Sequence, residues 1–126
     1  MITQIVNKKT KEKNILESVI SAARIADERK AESIKVLDMR KRLIITDYFL
    51  IISARNPRLS RRIYEDIDSS LKKKGIKAIT VSGANEGNWI LADYDDFVIH
   101  IFTTEFAEYY DLERLWMDSD TIDWQS

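Results

Sequence analysis

Leu16, Val19, Ile20, Ala23 and Ala26 stand three and four residues apart with polar residues among them, a spacing that predicts an amphipathic helix. Asn14 with Glu17 three residues on is a capping signal, and the charged stretch before it leaves room for an upstream extension. The period then changes. Ile34 to Asp38 is short and rich in branched side chains, which predicts a strand. Residues 39–46 carry no clear period and read as a connection. Tyr48 to Ser53 is almost continuously apolar, the pattern of a strand buried on both faces. Helical spacing resumes after Asn56-Pro57, where asparagine can accept from the orphan amides and proline is preset for the first turn. Leu59, Ile63, Ile67 and Leu71 form its apolar stripe, lysines fill its last turn, and Gly75 is a natural stop. A third strand is predicted to begin over Ile76 to Val81, followed by a loop between Gly83 and Gly87.

The segment from Trp89 to Phe102 is the most informative. It reads as two strands joined at Asp95-Asp96, a two-residue hairpin turn. That register places Ile90, Ala92, Tyr94, Phe97, Ile99 and Ile101 on one face, as core. The other face pairs Asp93 with Val98, Leu91 with His100, and Trp89 with Phe102. A carboxylate and an imidazole among large apolar groups suit a partly wet surface that another molecule covers. Thr103 or Thr104 then caps a last helix running toward Trp116, with Phe106, Tyr110, Leu115 and Trp116 available for packing. The last ten residues are acidic and are expected to be loose. This order of elements predicts one α/β domain over residues 1–126, a mixed sheet of about five strands flanked by helices. Its core covers about 14–118 and an acidic tail covers 117–126.

Composition narrows the class. A chain of 126 residues, 44% hydrophobic and 33% charged, with only three glycines and one proline, is an ordinary globular domain. No apolar run approaches the roughly 18 residues that cross a bilayer, and the N-terminal stretch shows no leader pattern, so a cytoplasmic protein without a membrane contact is expected. The absence of cysteine excludes a disulfide or thiolate zinc site. A single histidine excludes a multi-histidine metal cluster within one chain. The net charge of −1 hides a split: residues 1–83 sum to a formal +9, residues 84–126 to −10. Such a split fits a face offered to an oppositely charged partner, or ends that neutralise each other within the fold or across a dimer.

Candidate chemistry is sparse. A nucleophilic triad would depend on His100 as its base, and no serine stands in a G-x-S-x-G elbow. Gly83-Ala-Asn-Glu-Gly87 lacks the lysine of a phosphate loop and has an acid that would repel phosphate. Asp93, Asp95 and Asp96 could collect Mg²⁺, but aspartates are favoured in turns for backbone reasons alone. Arg55, Arg58, Arg61 and Arg62 at the helix entrance could meet phosphates, although a solvated helix face is the commoner explanation. No catalytic residue, metal or cofactor is expected, and no sequence-specific nucleic acid.

Several strings together are more specific. Val36-Leu-Asp-Met-Arg40, Thr46-Asp-Tyr-Phe-Leu-Ile51, the Leu71 to Gly75 helix exit, Trp89-Ile-Leu-Ala-Asp-Tyr94, Val98-Ile-His-Ile-Phe102 and Tyr110-Asp-Leu-Glu-Arg-Leu-Trp116 occur in an order that resembles the ribosomal silencing factor family of Iojap-like proteins. The likeness runs from about 14 to 118. Departures are Ser53-Ala-Arg-Asn56 for the usual T-G-x-S, Arg58-Leu59 for R-H, Ser82 for a glutamate, and Asp95-Asp96 for Gly-Asp. The resemblance implies a nucleotidyltransferase-like core without that superfamily's catalytic carboxylate motif, and no G-S-x-D-x-D string stands here. It implies a non-enzymatic translational repressor that binds the large ribosomal subunit through its ribosomal protein fourteen. There it would block small-subunit joining under nutrient limitation, and the free protein would be a homodimer. Trp89, Leu91, Asp93, Tyr94, His100, Phe102 and Tyr110 are the expected partner contacts, with Glu108 or Asp111 adding charge. The competing readings are a phosphoryl- or nucleotidyl-transfer enzyme with Mg²⁺ on Asp38 and Asp47, and an RNA-binding accessory protein using the arginine helix.

Overall fold

The computed structural model describes residues 2–42 and 45–125, with side chains from Asn14 onward. Helix α1 spans Ile2–Glu28. It starts well before Asn14, because the lysines, glutamate and glutamine upstream are adequate helix formers and carry the helix through the cap signal. Asn14 is interior, and its carbonyl accepts from Ser18 Oγ at 3.0 Å. Ile15, Val19, Ala22, Ala23 and Ala26 are the buried positions, with Leu16 and Ile20 at the margin of the stripe.

Strand β1 (Ser33–Asp38) runs antiparallel to β2 (Tyr48–Ala54), and α2 (Pro57–Lys73) follows. The predicted α2 cap is present: Leu59 N donates to Asn56 Oδ1 at 2.8 Å. The chain then forms β3 (Thr80–Ser82), β4 (Trp89–Asp93) and β5 (Phe97–Thr103). β3 is shorter than predicted. Ile76 and Ala78 pack against the core as a connection, and only residues 80–82 lie opposite β4. The loop that follows needs its glycines. A Cβ on Gly83 (φ +79) would stand 1.9 Å from the Trp89 carbonyl oxygen, and one on Gly87 (φ +79) 2.8 Å from that of Pro57.

The hairpin has the register read from the sequence, with Trp89 opposite Phe102, Leu91 opposite His100 and Asp93 opposite Val98. β5 also pairs in parallel with β2. A sixth strand, β6 (Asp120–Ile122), pairs antiparallel with β1, so the sheet has six strands in the order β3-β4-β5-β2-β1-β6. The expectation of a loose tail is therefore corrected. The outer edge of β1 offers unpaired backbone groups that residues 120–122 satisfy, and Trp124 Nε1 donates to the Ile34 carbonyl at 3.3 Å.

α1 and α2 cover one face of the sheet and bury most of the core, including all six hairpin residues predicted for it. Among the described residues, the helical elements on the second face are α3 (Thr104–Tyr109) and a 3₁₀ turn over Leu112–Leu115. Thr103 caps α3, its Oγ1 accepting from Phe106 N at 3.3 Å. The long last helix predicted from sequence does not form, because Asp111 takes a left-handed conformation (φ +50) that ends it and turns Leu112 onto the sheet.

Candidate docking surface

A strand shows alternate side chains to opposite faces, so the half of β4 and β5 that faces away from α1 and α2 is defined by register. The cover there is short. α3 and the turn close over Leu37, Met39, Ile51 and Phe102, with Phe106, Ala107 and Trp116 packed against them. Leu91, Asp93, Val98, His100 and Phe49 remain half-buried, and Trp89 is 44% exposed. The uncovered area holds an aromatic band. Phe49 meets His100 edge-on at 5.0 Å, His100 stacks on Phe102 at 6.0 Å, and Trp89 lies over Phe102 at 5.4 Å. The band continues through Phe106 to Tyr110 at 4.7 Å and from Tyr110 to Tyr109 at 4.9 Å.

Beside this band a cleft of about 300 Å³ is lined by Ile45, Thr46, Phe49, Leu91, Asp93, Asp95, Val98 and His100. Burial pushes the His100 imidazole down to a pKa of about 4, so it is neutral at physiological pH. Trp89 Nε1 donates to His100 Nδ1 at 3.4 Å. Asp93 Oδ1 accepts from Asp95 N at 2.8 Å, which braces the hairpin turn where Asp95 has φ +74.

The structure brings Trp89, Leu91, Asp93 and His100 together on this face, with Tyr110 (58% exposed) at its far side. Two expected contacts are corrected. Phe102 is on the face but only 2% exposed, roofed by Trp89, Phe106 and Trp116, so it supports the surface from beneath. Tyr94 points to the opposite face, where it is buried and its hydroxyl donates to Asp68 Oδ1 at 2.8 Å. Its alternation with Asp93 already assigned it to the core. Ile45, Thr46 and Phe49 are additions to the expected contacts, and Val98 was placed on this face without being named a contact. Val98 and Phe49 were recoverable from strand alternation. Ile45 and Thr46 come from an aperiodic connection, where periodicity carries no signal for the cleft, although Thr46 opens one of the strings that resemble the family.

Of the two carboxylates considered for Mg²⁺ on a transferase reading, Asp38 is engaged by an arginine. Asp38 is held by Arg40 through Nε at 2.9 Å and Nη2 at 2.7 Å, and the guanidinium keeps its carboxyl below the usual range. Asp47 directly precedes β2, and its main-chain carbonyl accepts from Met39 N at 2.8 Å. No group of three or more histidine, aspartate or glutamate side chains that could hold a metal occurs among the described residues. At the entrance of α2, Arg61 Nη1 donates to the Asn85 carbonyl at 3.3 Å, and Arg62 lies 3.8 Å from Asp66. Part of the charge split closes within the fold, where Lys35 reaches Glu113 at 3.4 Å, while Arg42 donates to the main-chain carbonyl of Asp118 at 2.7 Å. No helix of the described residues is long and apolar enough to cross a membrane.

The chain is a single α/β domain whose sheet packs two long helices on one face and leaves aromatic and acidic side chains partly open on the other. The model of the family described as ribosomal silencing factor during starvation matches residues 12–126, and the chain belongs to that family. It is 34% identical over 102 residues to the ribosomal silencing factor of Bacillus subtilis, covering 81% of this chain and 86% of that protein. It is 28% identical over 92 residues to the mouse protein called mitochondrial assembly of ribosomal large subunit protein 1, covering 71% and 40% of the two chains. A crystal structure from Bacillus halodurans superposes with a TM-score of 0.73 at 27% identity, covering 88% of this chain and 98% of that one.

Proposed function

We propose that this protein represses translation by docking on the large ribosomal subunit through its ribosomal protein fourteen, so that the small subunit cannot join. The observation that carries the reading is the open half of the second sheet face, where Trp89, Leu91 and His100 leave an aromatic and apolar strip beside Asp93 and Asp95. Aromatic anchors ringed by polar groups are the usual energetic centre of a protein interface. Ribosomal proteins are basic, and the carboxylates on this face have the sign that steers such a partner. Membership of a silencing factor family supports the repressor role, and the name of the mouse relative supports the large subunit. The action is steric, needs no cofactor, and belongs in the cytoplasm under nutrient limitation.

Cosedimentation with purified large subunits is the test. Wild-type protein is expected to pellet with them and to reduce joining by added small subunits. Leu91→Arg, which puts a cation of the wrong sign and size on the face, should lower binding at least about tenfold, the loss of one good anchor. Trp89→Ala should do the same with an unchanged circular dichroism spectrum. Failure of the wild type to pellet, or pelleting of both variants at wild-type levels, overturns the reading.

A further inference from the structure

Two buried side-chain polar atoms of the described residues have no hydrogen-bond partner, Thr46 Oγ1 and His100 Nε2. Both residues line the same cleft. An unpaired buried polar group costs about 1–3 kcal/mol, and folds that keep one usually have something that completes it. Two in one cleft point to an occupant. Because His100 Nδ1 accepts from Trp89 Nε1, the ring proton sits on Nε2, which is therefore a donor awaiting an acceptor. Thr46 is only 5% exposed, and its hydroxyl can donate or accept.

The remaining walls describe the occupant. Phe49, Leu91, Val98 and Ile45 make an apolar trough, and Asp93 and Asp95 stand at one end. Neither aspartate forms an ion pair with another described residue of this chain. The Leu91–His100 pair and the Asp93–Val98 pair are two residues apart along the hairpin. At the rise of a strand that separation is about 7 Å, close to the reach of an extended lysine or arginine side chain. Such side chains lay an aliphatic stem along apolar surface and hold the charge at the tip.

We propose that the cleft receives one lysine or arginine side chain of the ribosomal partner. Its stem lies between Phe49, Leu91 and Val98, its cationic head meets Asp93 and Asp95, and, as docking opens the cleft floor over these two buried atoms, its main-chain carbonyl accepts from both His100 Nε2 and the Thr46 hydroxyl. This rests on the reading that the face docks on the ribosome, and it states which chemistry on the partner is recognised.

Thr46→Val tests it cleanly, since it removes only the orphan hydroxyl and keeps the shape. In the free protein the variant should melt at the same temperature as wild type or higher, because an unsatisfied buried group is gone. Its binding to purified large subunits should fall roughly three- to tenfold, the worth of one hydrogen bond. Asp93→Asn with Asp95→Asn should weaken binding by a similar factor and flatten its dependence on salt. If Leu91→Arg abolishes binding while Thr46→Val and the aspartate variant bind as wild type, the face docks but the cleft is not read, and the proposal falls alone. If Thr46→Val weakens binding and the aspartate variant does not, a neutral group fills the cleft and the cation assignment falls. Wild-type protein that does not pellet overturns the docking reading itself.

Discussion

His100 shows how much of a residue's behaviour is decided by its neighbours. On sequence it was a lone imidazole on the wetter hairpin face. In the fold it is enclosed by Phe49, Trp89 and Phe102, and this burial holds its pKa near 4 against an ordinary 6.5. Between those values the unfolded chain binds the proton and the folded chain does not, so stability rises with pH across that window and falls as acid is added. The gap is worth about 3 kcal/mol when the whole window is crossed. Urea unfolding at pH 7 and pH 4.5 should show most of this loss in wild type and much less of it in His100→Gln. Parallel losses in the two proteins would place the acid sensitivity on other groups. Tyr94 and Phe102 make the same point about position. Their residue types fit an interface, but a pleat assigns one to the opposite face and a roof of aromatic side chains covers the other.

At the scale of elements, local signals sufficed where one element's chemistry was self-contained. The start of α2 was legible because Asn56 and Pro57 act on the amides of their own first turn. The hairpin register was legible because its turn and its alternation agree. The two ends of the chain were misread for opposite reasons. α1 extends upstream through residues whose weak propensity is enough once the downstream turns are docked. The tail becomes β6 only because β1 presents it with an edge far away in sequence, Val36 pairing with Ile122. Ending the chain at Ser119 removes β6 together with Ile122 and Trp124, which pack against the core. The melting temperature should then drop by about 5 °C or more, a loss of roughly 1–2 kcal/mol for a domain of this size. An unchanged melting curve would mean that the tail adds nothing to stability.

The whole molecule is polarised. Long helices close one sheet face, while the other keeps an aromatic and acidic strip with Trp89, Tyr109 and Tyr110 open to solvent. A two-fold copy could cover that strip, and we propose that the free protein is a homodimer through part of the surface it offers the ribosome. Docking would then compete with self-association by mass action. Sedimentation equilibrium over a range of concentrations should show a dimer that Trp89→Ala weakens. A monomer at every concentration removes the dimer, and a dimer indifferent to the variant moves its contact to another face.

The hydrophobic pattern alone determined the α/β class, the central strand, the second helix and the pairing of the hairpin, since each depends on contacts near in sequence or on a period of two or 3.6 residues. The motif order through Trp89-Ile-Leu-Ala-Asp-Tyr94 and Val98-Ile-His-Ile-Phe102 also indicated the family that the match over residues 12–126 shows. Tertiary structure decided what is open. Only assembly shows that α3 ends at Tyr109, ahead of the left-handed Asp111, and leaves Leu91 and His100 half-covered, and that Thr46 from an aperiodic connection joins them in one cleft. Burial and orphaned hydrogen bonds are sums over neighbours distant in the chain, and no local spacing encodes them.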